Sequence, residues 1–199
     1  MQKYIITLII AAASLIFIAT RGGDQEVTIT PDSIILAFGD SITAGYGAKA
    51  DESYPAQLAK LLGVRVINGG VSGEVSKAGL ARLPKLLAEH KPTIVIICHG
   101  GNDILRRFDL DATRENIAEM IKLSQNMGAI VVLVGVPKLD GVFIDTASFY
   151  DKLASDYGVI YEDEIIEKII KSPELKSDQI HPNKDGYLLI AQTIAKLLK

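Results

Sequence analysis

Cysteine is almost missing from this chain, which excludes a disulfide framework and any CxxC metal site. The one cysteine, Cys98, lies inside the apolar run Ile94-Val95-Ile96-Ile97-Cys98 and reads as a small buried hydrophobe. A strong excess of charge is lacking too. The net charge is −3, so no basic field exists to attract nucleic acid. No HExxH motif occurs, and neither a metal nor another cofactor is expected. Internal repeats and low-complexity segments are absent.

What is present suits one globular domain: 199 residues, 48% hydrophobic and 23% charged, enough to bury a core. Residues 4–20 (YIITLIIAAASLIFIAT) are uncharged over 17 positions, follow Lys3 and precede Arg21-Gly22-Gly23. That run is longer than a usual signal-peptide core and sits at the lower edge of a membrane-spanning length. Residues 1–21 are therefore expected to be a signal peptide or membrane anchor, 22–32 a polar linker, and 33–199 the folded domain. The protein is expected to be exported, either periplasmic or anchored facing the extracytoplasmic side. No cysteine follows the run, so a lipoprotein attachment site is absent.

After the linker, short β-branched runs alternate with longer helical patterns. Residues 34–38, 64–67, 93–98 and 129–134 are continuous apolar runs of strand length, the mark of strands covered on both faces. Helices are predicted over 53–62, 76–90 and 111–127, the last capped by Asp111 and stopped by Gly128. A helix near 146–156, a short strand at 159–160 and a terminal helix follow. The terminal helix carries Tyr187, Ile190, Ala191, Ile194, Leu197 and Leu198 on one stripe. Repeated strand-helix units predict a doubly wound α/β domain with its ligand site at the carboxyl ends of the strands.

Three stretches end at that edge: Phe38-Gly39-Asp40-Ser41, Asn68-Gly69-Gly70 and Gly100-Gly101-Asn102-Asp103. A serine hydroxyl is a nucleophile only with a base to take its proton and donors to hold the developing oxyanion. Three histidines are candidate bases. His90 closes a helix and suits the negative end of its dipole. His99 ends the third strand, where it can support or line the site, and has no nearby carboxylate to orient it. His181 stands in Ser177-Asp178-Gln179-Ile180-His181-Pro182, where a tight turn brings the Asp178 carboxylate to the ring nitrogen facing away from substrate. Donors for an oxyanion are available from the amide of Ser41, the turn Val71-Ser72-Gly73-Glu74 and Asn102. Ser72 is a rival nucleophile, but Gly70-Val71-Ser72-Gly73-Glu74 lacks the final glycine of a GxSxG elbow.

In this chain order the four blocks resemble the GDSL hydrolases, or SGNH superfamily: Gly39-Asp40-Ser41, Asn68 to Gly73, Gly100 to Asp103, and Asp178 to Pro182. Residues 67–84 (INGGVSGEVSKAGLARLP) and the GGND block look like the bacterial multifunctional thioesterase, arylesterase and lysophospholipase group. The resemblance implies a flavodoxin-like three-layer α/β/α sandwich with a five-stranded parallel sheet in the order 2-1-3-4-5. It implies Ser41 as nucleophile, His181 as general base and acid, Asp178 as its orienter, and Ser41 N–H, Gly73 N–H and the Asn102 side chain as oxyanion hole. The implied activity is hydrolysis of acyl esters, thioesters or lysophospholipids. A carbohydrate O-acetylesterase and a non-catalytic, membrane-tethered binding module are the competing readings. The chain departs at Cys98, where the resemblance implies an acidic residue, and at Arg106-Arg107-Phe108. The apolar segment 139–143 (LDGVF) lies where the family often places a substrate loop, although a plain surface connection reads as well.

Overall fold

Continuous aliphatic runs need cover on both faces, and the computed structural model, which describes residues 27–140 and 143–198, gives it to them. The first four strands are β1 (Ile34–Gly39), β2 (Arg65–Gly70), β3 (Ile94–Cys98) and β4 (Ile130–Val134). An antiparallel hairpin of β5 (Pro137–Asp140) and β6 (Phe143–Thr146) comes next, followed by β7 (Ile160–Glu162). The main sheet is parallel, in the order β2-β1-β3-β4-β7. This is the expected 2-1-3-4-5 order, with the hairpin inserted ahead of the fifth strand. The segment 139–143 falls on that hairpin, and residues 141 and 142 lie outside the described residues.

Two groups of helices supply the cover. One comprises α2 (Tyr54–Leu62), α7 (Ile165–Lys171) and α8 (Lys184–Leu197); the other comprises α3 (Ser76–His90), α5 (Leu110–Asn126) and α6 (Phe149–Tyr157). Consecutive residues of β1 and β3, such as Ile35, Leu36, Ala37 and Phe38, are fully buried, which requires layers on both sides. On α8 the expected stripe is buried at Tyr187, Ile190, Ala191 and Ile194, while Leu197 stays half-buried and Leu198 is buried beyond the helix end. At about 25 cal/mol per Å² of apolar surface, such layers supply most of the drive to fold.

Some boundaries differ from expectation. The cap of α5 is Asp109, whose carboxylate accepts from Asp111 N–H at 2.9 Å; Asp111 sits one turn position inside and was the wrong choice. The helix predicted from residue 146 starts at Phe149, because Thr146 still belongs to β6. Two short helices at the carboxyl edge of the sheet, α1 (Ser41–Ala44) and α4 (Gly101–Leu105), had no sequence signal strong enough to predict them. Val27 is buried and Ile29 packs on the core, so ordered structure reaches back into the stretch read as linker. Among the described residues no helix is long and apolar enough to cross a membrane, and the run 4–20 lies outside them.

Candidate active site

Register decides which loops meet. Gly39 pairs with Gly70 of β2 and with Cys98 of β3, so the loops that follow these three strands leave the sheet side by side. The chain turns sharply after Gly39, and Asp40 caps α1 by accepting from Ile42 N–H at 3.1 Å. This makes Ser41 the first residue of a helix at the carboxyl edge.

The fourth loop comes from the far end of the sequence. His181 Nε2 lies 3.0 Å from Ser41 Oγ, and His181 Nδ1 lies 2.7 Å from Asp178 Oδ2. Asp178 Oδ1 also accepts the backbone N–H groups of Ile180 (2.9 Å) and His181 (2.8 Å), closing the tight turn that the spacing predicts. Partial burial pushes the Asp178 carboxyl up, but those two amides and the imidazole outweigh it and bring it down to about 2. A charged Asp178 fixes the proton on Nδ1 and leaves Nε2 to accept from Ser41 O–H. The loop is braced from behind: Ser177 N–H donates to His181 O at 2.9 Å, and Asn183 Nδ2 donates to Glu174 O at 2.8 Å.

Asn102 on α4 reaches back to the serine turn, its Nδ2 donating to Asp40 Oδ2 at 3.2 Å. One amide hydrogen is so engaged, and the carboxamide is oriented while its other hydrogen remains for a ligand. Asp40 is itself buried; burial pushes its carboxyl up, against the pull of His99, Ile42 N–H and Asn102. Gly73 stands in the turn after β2 with φ +77°, a left-handed conformation that favours glycine. Arg106 Nη2 donates to Gly73 O at 2.9 Å.

A second tie joins the same two loops. The buried Asp103 carboxylate accepts from Ser76 N–H (2.8 Å) and Ser76 O–H (2.7 Å), capping α3 from outside its own segment. The last residue of the GGND block thereby ties the loop that carries Asn102 to the start of α3, just after the turn that carries Gly73.

Ser41, Ser72, Gly73, Asn102 and His181 all open into one cavity of about 220 Å³, whose aliphatic lining includes Leu105, Val136 and Ile170. Each sequence-predicted site residue lines it except Asp178, which stands behind His181. Ser72 is exposed, and no imidazole or carboxylate of the described residues bonds its hydroxyl. His90 is elsewhere, in the last turn of α3, 3.8 Å from Glu89. Among the described residues no group of three or more His, Cys, Asp or Glu side chains is placed to hold a metal ion.

His99 corrects the sequence reading. It does have a carboxylate partner, Glu74, brought from 25 residues away: Nε2 lies 3.1 Å from Glu74 Oε2, while Nδ1 accepts from Gly100 N–H at 3.1 Å. The ring proton therefore sits on Nε2 and points at Glu74 rather than at the serine. Arg82 grips the same carboxylate at 2.7 Å, donates to Gly69 O at 2.7 Å, and lies 4.3 Å from the Phe38 ring centre. Burial alone would push the Glu74 carboxyl up, but His99 and Arg82 bring it down to about 2. This fully buried imidazole braces the turn that carries Gly73; it does not touch the cavity.

Comparison with known proteins gives matches over nearly the whole described chain. Residues 37–189 match the GDSL-like lipase/acylhydrolase family. The chain is 36% identical over 177 residues to an arylesterase of Vibrio mimicus, covering 82% of this chain and 87% of that protein. It is 33% identical over 172 residues to thioesterase 1/protease 1/lysophospholipase L1 of Escherichia coli K12, covering 83% of each. A psychrotrophic esterase from Pseudoalteromonas sp., solved as inhibited by monoethylphosphonate, superposes with a TM-score of 0.75 at 28% identity, covering 84% of this chain and 97% of that one.

Proposed function

Because the chain belongs to the GDSL-like lipase/acylhydrolase family and is an ester-bond hydrolase, we propose that it cleaves acyl esters or thioesters through an acyl-enzyme on Ser41. The observation that carries this reading is the unbroken hydrogen-bond chain Ser41–His181–Asp178, with links of 3.0 and 2.7 Å. Ser41 Oγ attacks the acyl carbonyl carbon as its proton passes to His181 Nε2. The carbonyl oxygen becomes an oxyanion, held by Ser41 N–H, Gly73 N–H and the free amide hydrogen of Asn102. The bond to the leaving oxygen or sulfur then breaks, and His181 returns the proton to that atom. Water attacks the acyl-enzyme by the reverse route, giving its proton to His181 and releasing a carboxylic acid and free Ser41.

The inhibition of the Pseudoalteromonas esterase by monoethylphosphonate supports a tetrahedral intermediate, since a tetrahedral phosphorus copies its shape. The aliphatic wall of Leu105, Val136 and Ile170 supports small or medium acyl groups, and lysophospholipid is a further substrate class. The uncharged run 4–20 supports a site of action outside the cytoplasm, which intact-mass measurement of the membrane-extracted protein checks through retention or cleavage of that run. The direct test is turnover of p-nitrophenyl acyl esters of graded chain length by the full-length chain. Ser41→Ala is expected to lose at least about 10³-fold in kcat, and equal turnover by both forms would rule the assignment out.

A further inference from the structure

We propose that Tyr46 is the platform on which the leaving group rests, and that its ring makes the enzyme select esters of aromatic alcohols over aliphatic ones. The proposal builds on the acyl-enzyme reading and adds to it the identity of the departing half. Proton delivery fixes where that half must lie. The leaving oxygen has to come within hydrogen-bond reach, roughly 3 Å, of His181 Nε2, so its substituent sits on the His181 side of Ser41 and away from Asn102 and Gly73.

Tyr46 occupies that side. Its ring centre lies 4.5 Å from the His181 ring centre with the planes tilted by 46°, and it lines the cavity. The backbone there is held from several directions: Tyr46 N–H donates to Ser41 O at 3.0 Å, and Tyr187 O–H donates to Tyr46 O at 2.7 Å. Flanking Gly45 and Gly47 have φ of 92° and 90°. A Cβ at Gly45 would collide with Ser53, and one at Gly47 with Ser177 beside the His181 loop, so the turn is seated directly against that loop.

The tyrosine carried by this fixed backbone is nevertheless 55% exposed. The tyrosines that serve the core, Tyr54, Tyr150 and Tyr187, are at most 1% exposed. Burial therefore does not account for an aromatic residue at position 46. A solvent-facing ring on a fixed backbone, set against the proton donor, has the shape needed to receive another flat ring, by offset or edge contact.

The test uses two acetates that share an acyl group and have alcohols of comparable acidity, phenyl acetate and hexafluoroisopropyl acetate. Wild type, Tyr46→Leu, Tyr46→Phe and Ser41→Ala are compared as full-length chains. Tyr46→Leu is expected to lower the ratio of kcat/KM for phenyl over hexafluoroisopropyl by about 3- to 10-fold, the rate equivalent of one aromatic pair, and Tyr46→Phe to keep it within about 2-fold. A ratio unchanged in Tyr46→Leu, or both esters slowed equally with a shifted pH profile, refutes the platform and leaves Tyr46 a shield for His181. Wild-type turnover that persists in Ser41→Ala refutes instead the acyl-enzyme reading beneath it. Product inhibition of the wild type repeats the test without a variant: phenol is expected to inhibit at lower concentration than hexafluoroisopropanol, and the reverse order overturns the proposal.

Discussion

Glu74→Gln keeps the shape of the side chain between His99 and Arg82 but discards its charge. In the folded protein the Glu74 carboxyl is brought from 4.5 down to about 2, against its own burial, by His99 and Arg82. At about 1.4 kcal/mol per tenfold change in proton affinity, that lowering is worth about 3 kcal/mol of stability at pH 7. The side chain is only 7% exposed, so solvent screens little of it. Because the folded value is depressed, the contribution is complete well above the unfolded value of 4.5 and drains away as pH falls towards 2. Urea unfolding should show Glu74→Gln less stable than wild type by about 3 kcal/mol at pH 7 and by less than half of that at pH 3. A gap that stays constant or widens on acidification would refute the reasoning. Since Glu74 adjoins Gly73, the variant is also expected to loosen the turn proposed to donate to the oxyanion.

Asn102→Ala is expected to lower kcat by about 10²- to 10³-fold with a smaller change in KM, checked by steady-state kinetics, because in the proposed mechanism the carboxamide meets charge only in the tetrahedral intermediate. Gly79→Ala would improve helix propensity by about 1 kcal/mol, yet its methyl group would strike the buried His99 ring. Overpacking of about 1–3 kcal/mol wins that contest, and a thermal melt should show a lower midpoint, with an unchanged or raised midpoint counting against it.

The sheet was legible because strands buried on both faces carry unbroken apolar runs, as at 93–98 and 129–134. The Ser41 partner was legible for another reason. Asp178 and His181 are three residues apart, so one turn places them, and only the serine had to be found at long range. Where a pairing depends on two loops meeting, as for Glu74 with His99 or Asp103 with Ser76, spacing carries no trace of it. Those contacts follow from β2 and β3 flanking β1, and a carboxylate after one strand could be recognised only once the sheet order was known. The Asp109 cap was missed because two aspartates stand two residues apart and either could begin the helix. The hairpin β5–β6 and α7 are four to seven residues long, too short for periodicity to separate them from a loop.

All five main strands run the same way, and this gives the molecule two poles. The chain comes up to β1 through the turn Thr30–Ser33 at one pole, and the hydrolytic cleft opens at the other, six residues of extended chain or about 20 Å beyond. Anything attached at the Thr30–Ser33 pole would therefore leave the cleft at the opposite end uncovered.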